Sequence, residues 1–297
     1  MTSSRLPVRR LILASLAAGL LLAAGPVFCA DAPADTAGGW SKSLDLGLVF
    51  NQSGYSDSWA GDELGQAVWT ATVNMLFARN ISQETRWRNT IKLLYGQTHQ
   101  QKRDAAGSKY WAAPEKSTDR IFVESLLRFS ENNWLNPYAA VTLESQFQDE
   151  RNTFLSPALI TESAGVGRQF LNSDDTKLFT RIGAAFRQRT ARGMDTVTDG
   201  GIESVTDLTH KLSENLQVVS KLRLFKALDS SIDQDLAGPT RRDDWKAVDV
   251  AWETTVSAQV SKVIQTSLFV EWLYDKEISR KGRYRELYGF GITYKLF

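Results

Sequence analysis

Twelve times between Lys42 and the C-terminus, apolar and polar residues alternate with a period of two, mostly over stretches of roughly 11 to 14 residues. That period sends successive side chains to opposite faces of a β-strand. The stretches are 42–52, 66–79, 84–97, 119–129, 137–148, 158–170, 177–189, 202–212, 216–226, 245–260, 264–275 and 284–297, with the weakest alternation in 158–170 and 202–212. Strands of soluble sheets are usually about five or six residues long, whereas about 9 to 11 residues cross a bilayer at a tilt. After the N-terminus no apolar run approaches the roughly 20 residues of a membrane-spanning helix, so the pattern predicts an all-β chain and excludes a helical membrane protein.

Residues 85–96 decide which face meets which medium. Trp87, Ile91, Leu93 and Tyr95 alternate with Arg86, Arg88, Lys92 and Gly96, with Asn89 a polar exception on the apolar face. A basic side chain pointed at the bilayer midplane costs about 2 to 4 kcal/mol, and three would cost as much as the stability of a whole domain. The charged face must therefore line an interior. The same reasoning sends Leu178, Ile182, Ala184 and Phe186 outward and Arg181 and Arg187 inward. Val248, Val250, Trp252, Val256 and Val260 also go outward, with Asp249, Glu253 and Gln259 inward.

The connections sort by length. Long polar stretches, such as Thr98 to Thr118 and Ala227 to Asp244, follow the odd-numbered stretches; short turns, such as 80–83, 213–215 and 261–263, follow the even ones. Barrels of the bacterial outer membrane sort their loops in this way, with tight periplasmic turns and long outward loops. The expectation is an all-β, transmembrane, antiparallel up-and-down β-barrel of about 12 strands spanning residues 40–297. Aromatic residues form two expected interfacial bands: Trp69, Tyr95, Trp272, Tyr274 and Tyr288 toward the long loops, and Phe77, Trp87, Phe129 and Tyr294 toward the short turns.

Residues 1–34 have the layout of an export signal: Arg5, Arg9 and Arg10, then an apolar run from Leu11 to Gly25, with cleavage after Cys29 or Ala34. Either cut removes the only cysteine. Cys29 is also placed like a lipoprotein acceptor, although Phe28 is larger than the preceding position wants. Loss of the three arginines takes 35 basic residues to 32 against 34 acidic ones, so nucleic acid is not an implied partner.

Several pieces carry a resemblance: FNQSGYSDSWAGDE from Phe50, WRNTIKLLYG from Trp87, KSTDRI from Lys116, NPYAAVTLESQF from Asn136 and FLSPALITESAGVGRQF from Phe154. Over about half the chain they resemble an uncharacterised family of Gram-negative outer-membrane β-barrels, known as a domain of unknown function. The piece GVGRQFLN is similar also to the salt-induced outer-membrane protein family. The resemblance implies the barrel and its location, and supplies no catalytic or binding residue. The last stretch, YRELYGFGITYKLF from Tyr284, would pair with the first to close the barrel and present the signal for the outer-membrane assembly machinery. Tyr288, Phe290, Ile292, Tyr294 and Leu296 share its lipid-facing phase, and Phe297 falls out of it.

The charged lumen is the expected functional feature. Arg86, Arg88, Lys92, Arg120, Arg128, Arg181, Arg187, Lys221 and Arg223 point inward, as do Glu124, Glu144, Asp249, Glu253 and Glu271, making one wall mainly basic and another mainly acidic. Two outcomes are open. The walls hold a transverse field around a narrow path for small polar solutes, or the charges pair across the lumen and fill it. Histidine is scarce, with His99 and His210 expected near opposite membrane faces, so no cofactor, metal site or catalytic group is assigned. A lipid hydrolase would use His210 with Ser213, but these fall on opposite faces; a soluble periplasmic ligand-binding barrel would need the apolar face turned inward. The stretch Asp229 to Asp244, with Asp233, Asp235 and Asp243, is read as a solvated acidic loop rather than a calcium site.

Overall fold

The computed structural model describes residues 39–56, 63–129, 134–231 and 243–295. Strands β1 (Trp40–Ser53), β2 (Gln66–Asn80), β3 (Arg86–Arg103), β4 (Lys109–Trp111), β5 (Glu115–Arg128), β6 (Asn136–Ser145) and β7 (Ala158–Asn172) come first. Strands β8 (Thr176–Thr190), β9 (Val197–Ser213), β10 (Leu216–Ser230), β11 (Val248–Gln259), β12 (Ile264–Asp275) and β13 (Ser279–Lys295) follow. Each pairs antiparallel with its neighbours, and β1 pairs with both β2 and β13, so the sheet closes on itself. Twelve strands form the barrel. The thirteenth, β4, is a short hairpin partner of the projecting end of β3. Among the described residues, the seam from Asp45↔Lys295 to Val49↔Gly291 is the shortest ladder of the barrel.

Burial is inverted relative to a water-soluble protein. Ile182 is 52% exposed and Tyr288 70%, while Glu124 and Arg181 are each 1% exposed. Strand β11 shows the cause: Val248 and Trp252 face out and Asp249 and Glu253 face in, one alternation serving hydrocarbon on one side and paired charge on the other. A closed barrel also leaves no backbone edge unpaired, which the hydrocarbon layer demands. Tight coiling between β7 and β8 depends on two glycines in register, Gly165 and Gly183. A Cβ on either would sit 2.2 Å from a carbonyl oxygen of the facing strand.

Both weakly alternating stretches are strands. Their pattern is blurred because β7 turns Glu162 and Arg168 outward and Ser163 and Gly167 inward, while β9 buries Val205 between the inward Glu203 and Asp207. The loop sorting has two exceptions: 276–278 is only a tight turn, and 191–196 is no longer than 129–135. Polar residues that read as loop instead continue the ladders, from Thr98 to Arg103 on β3 and through Ser279 to Arg283 on β13. The stretch Thr98 to Thr118 is thus largely hairpin, its pairing running from Gln101↔Trp111 to Arg103↔Lys109. The strand expected from residue 245 begins at Val248, after a 3-10 turn at Asp244–Lys246.

The acidic-loop expectation also changes. Asp229 lies in β10, and Asp244 is buried against Lys276 at 3.2 Å and Arg280 at 3.5 Å, tying the β11 entrance to the β12–β13 turn. Asp233 and Asp235 lie outside the described residues, as do the signal segment 1–34, Leu296 and Phe297.

Candidate functional site

The interior charges gather in layers. In the first, Glu124 of β5 takes Arg181 of β8 at 2.5 Å, Lys221 of β10 at 3.1 Å and Arg88 of β3 at 3.5 Å. Asp207 of β9 joins them, 3.3 Å from Lys221 and 3.6 Å from Arg88. These strands are not all adjacent, so the contacts cross the interior. In the second layer Glu253 of β11 meets Lys92 at 2.5 Å and Arg120 at 2.8 Å, and Glu271 of β12 meets Arg120 at 3.2 Å and Arg285 at 2.7 Å. Arg223 pairs with Glu144 and lies 3.7 Å from Glu203, and Arg120 reaches Glu144 at 3.9 Å. Nearer the long-loop end, Arg187 meets Asp249 at 2.8 Å.

Arg86 and Arg128 lie toward the short-turn end, in register across β3 and β5, and the Arg128 guanidinium lies 4.8 Å from the Phe179 ring. Basic and acidic side chains from different strands meet at contact distance, where opposite charges largely offset one another.

Aromatic rings complete the filling. Phe122 points inward with Lys92, Arg120, Lys221 and Arg223 all 5.3 to 5.6 Å from its ring. Arg187 sits 3.5 Å from Phe225, and Arg181 lies 5.5 Å from Tyr138. Each ring offers its negative face to a cation that already has a carboxylate partner.

The inward charged residues that sequence reasoning missed are Glu203, Asp207, Arg283 and Arg285. The first two lie on the weakly alternating β9. The arginines would have followed from running the inward phase of Leu287 back by two and four residues, past the boundary placed at Tyr284.

The second layer lines a cavity of about 520 Å³, with walls from β5, β6, β10, β11, β12 and β13. On the outside, a wider apolar groove runs across β5 to β9, with Glu162 in its wall and the Trp87 indole donating to Ser125 at 2.9 Å.

His210 bonds Thr176 at 2.7 Å near the short-turn end, and the Ser213 hydroxyl accepts the Asn215 N–H in the next turn. His99 lies on β3 toward the long-loop end, in register with Ala67. Aromatic contacts mark both ends of the barrel. Trp69, Tyr95, Phe147 and Phe154 form a chain on the long-loop side, with Trp272 stacked on Tyr274; Trp40 meets Trp87 on the other. Tyr288 does not join the long-loop band, because it is in register with Leu268, midway along β12.

A closed antiparallel barrel that is apolar outside and ion-paired inside defines a transmembrane β-barrel protein. The chain belongs to the family described as "Protein of unknown function, DUF481", whose model matches residues 70–296. No curated protein matches. Among solved structures, an outer-membrane channel from Pseudomonas putida F1 is similar at 12% identity and a TM-score of 0.44, covering 91% of this chain and 99% of that one. The translocator domain of the autotransporter NalP from Neisseria meningitidis is 11% identical with a TM-score of 0.34, covering 86% of each chain. The outer-membrane channel DcaP of Acinetobacter baumannii is 10% identical with a TM-score of 0.31, covering 88% and 99%.

Proposed function

We propose that this protein is an outer-membrane barrel forming a narrow passive path for small polar solutes, constricted at the layer around Glu124. The observation that carries the reading is the chamber of about 520 Å³ above an ion-paired floor, a space lined by charged side chains within a barrel whose lipid side is apolar. Charged rings at a constriction select among solutes by charge and size. Export through the signal segment, insertion among outer-membrane lipid and recognition of β13 by the assembly machinery belong to the same reading.

A second reading, a structural envelope component with a closed lumen, is favoured by the near-complete burial of Glu124 and Arg181. The hydrolase reading gains no support from the two residues it named, since His210 is engaged with Thr176 and Ser213 caps a turn. Single-channel recording in planar bilayers separates the first two. Small, discrete current steps are expected from correctly folded protein; a folded barrel that gives none is a structural component.

A further inference from the structure

The charges around the chamber do not all cancel. Glu253 is held by Lys92 and Arg120, Glu271 by Arg285 and Arg120, and Glu144 by Arg223. Asp119 accepts from Lys116 at 3.0 Å and from the backbone N–H groups of Phe147 at 2.6 Å and Gln148 at 3.1 Å. Every carboxylate lining the chamber is thus engaged.

Among the basic groups, Arg283 is the exception. It lines the chamber from β13, two residues above Arg285, and has no ion pair or hydrogen bond among the described residues. Its Nε is shut off from solvent without an acceptor. A half-buried guanidinium held without a counter-charge is costly, and its planar fork of donors matches the two oxygens of a carboxylate or a phosphate.

We propose that the chamber is a binding site for a small solute bearing one oxyanion, its carboxylate or phosphate seated on the Arg283 guanidinium. The neighbouring pairs keep the rest of the wall neutral, so the site selects one negative charge and rejects a polyanion, which would meet the carboxylates of Glu144, Glu253 and Glu271. The volume suits a molecule of sugar size, within the range of about 300 to 1,000 Å³ typical of ligand pockets. The inference deepens the pore reading by naming its solute class, and rests on that reading for access from the long-loop side.

Equilibrium binding, measured calorimetrically on the full barrel refolded in detergent, tests it with gluconate, inorganic phosphate and neutral glucose as probes. Gluconate, phosphate or both bind and glucose does not, the pattern telling carboxylate from phosphate recognition. Arg283→Gln weakens anion binding at least tenfold, Arg283→Lys retains part of it, and Arg168→Gln on the outer face leaves it unchanged. Folding of each variant is checked by heat-modifiable migration.

Anion affinity equal in Arg283→Gln and wild type, glucose binding as tightly as gluconate, or no binding of either anion to the wild type each overturns the proposal. The measurement is independent of current. A barrel that binds gluconate without conducting keeps the site and loses the pore, and a conducting barrel that binds neither anion does the reverse.

Discussion

Glu124 is the residue on which the interior depends most. It is 1% exposed, and three basic groups from three other strands converge on its two oxygens. Attraction between such groups offsets the desolvation of all four only while every member is present. Glu124→Gln leaves Arg181, Lys221 and Arg88 facing one another, with Asp207 still paired to Lys221 and Arg88 and Arg181 without its carboxylate. Removing one partner of a buried pair typically costs about 3 to 5 kcal/mol, so this variant should lose that much in urea unfolding of the lipid-reconstituted barrel. The double variant Glu124→Gln with Arg181→Met should recover part of the loss, because one stranded cation is gone. A single variant within about 0.5 kcal/mol of wild type would mean that the layer is hydrated and that Glu124 carries no special weight. Which residues point inward was legible from alternation, because lipid penalises charge on the wrong face. Which inward residues meet was not. Arg181 and Glu124 lie on strands separated by two others, and only the radius of the closed barrel decides their distance.

At the scale of elements, the β12–β13 turn is the most sensitive to its surroundings. The Asp275 carboxylate accepts the N–H of Glu277 at 2.9 Å and of Ile278 at 3.3 Å, and Arg189 of β8 lies 3.6 Å from Glu277. Burial raises the Glu277 carboxyl, Arg189 pulls it back, and Asp275, Asp199 and Asp249 raise it further, to about 7. A carboxyl whose folded pKa exceeds its unfolded value destabilises the fold when ionised. The penalty is absent below about pH 4.5, where both forms are protonated, and grows until the group is ionised above about pH 7. Amide exchange in 276–278 should therefore show falling protection across that window, after correction for the intrinsic rate, and Glu277→Gln should flatten the profile. An unchanged slope in that variant would assign the effect elsewhere. This turn was read from sequence as the last of the long loops, since Arg280, Lys281 and Arg283 look like loop residues. Arg280 and Lys281 are exposed strand residues beyond the apolar band, where the backbone ladder simply continues, and Arg283 faces inward from the same strand.

For the whole molecule, strand number, direction and facing follow from one local rule, that each side chain must suit the medium it meets. Closure adds a non-local element. Among the described residues the seam pairs from Asp45↔Lys295 to Val49↔Gly291, against a β1–β2 ladder that runs from Trp40↔Arg79 to Ser53↔Gln66. Fewer shared hydrogen bonds make a strand pair easier to open. Amides of β1 that face β13 should accordingly exchange sooner than those facing β2 in the reconstituted barrel. Equal protection on both edges would show that the seam is held by something beyond its ladder.

The layers of ion pairs also bear on how such a chain can be made. Arg120 and Glu253 are 133 residues apart, and Arg285 donates to Thr118 across 167. Contacts of such range form only after the intervening chain is ordered, which places them late in folding. A half-built sheet therefore carries its cations and carboxylates separately. It cannot enter hydrocarbon until the first and last strands are near enough for those charges to meet, so insertion and closure must be a single event. A chain truncated before β11 would leave Lys92 and Arg120 without their shared carboxylate.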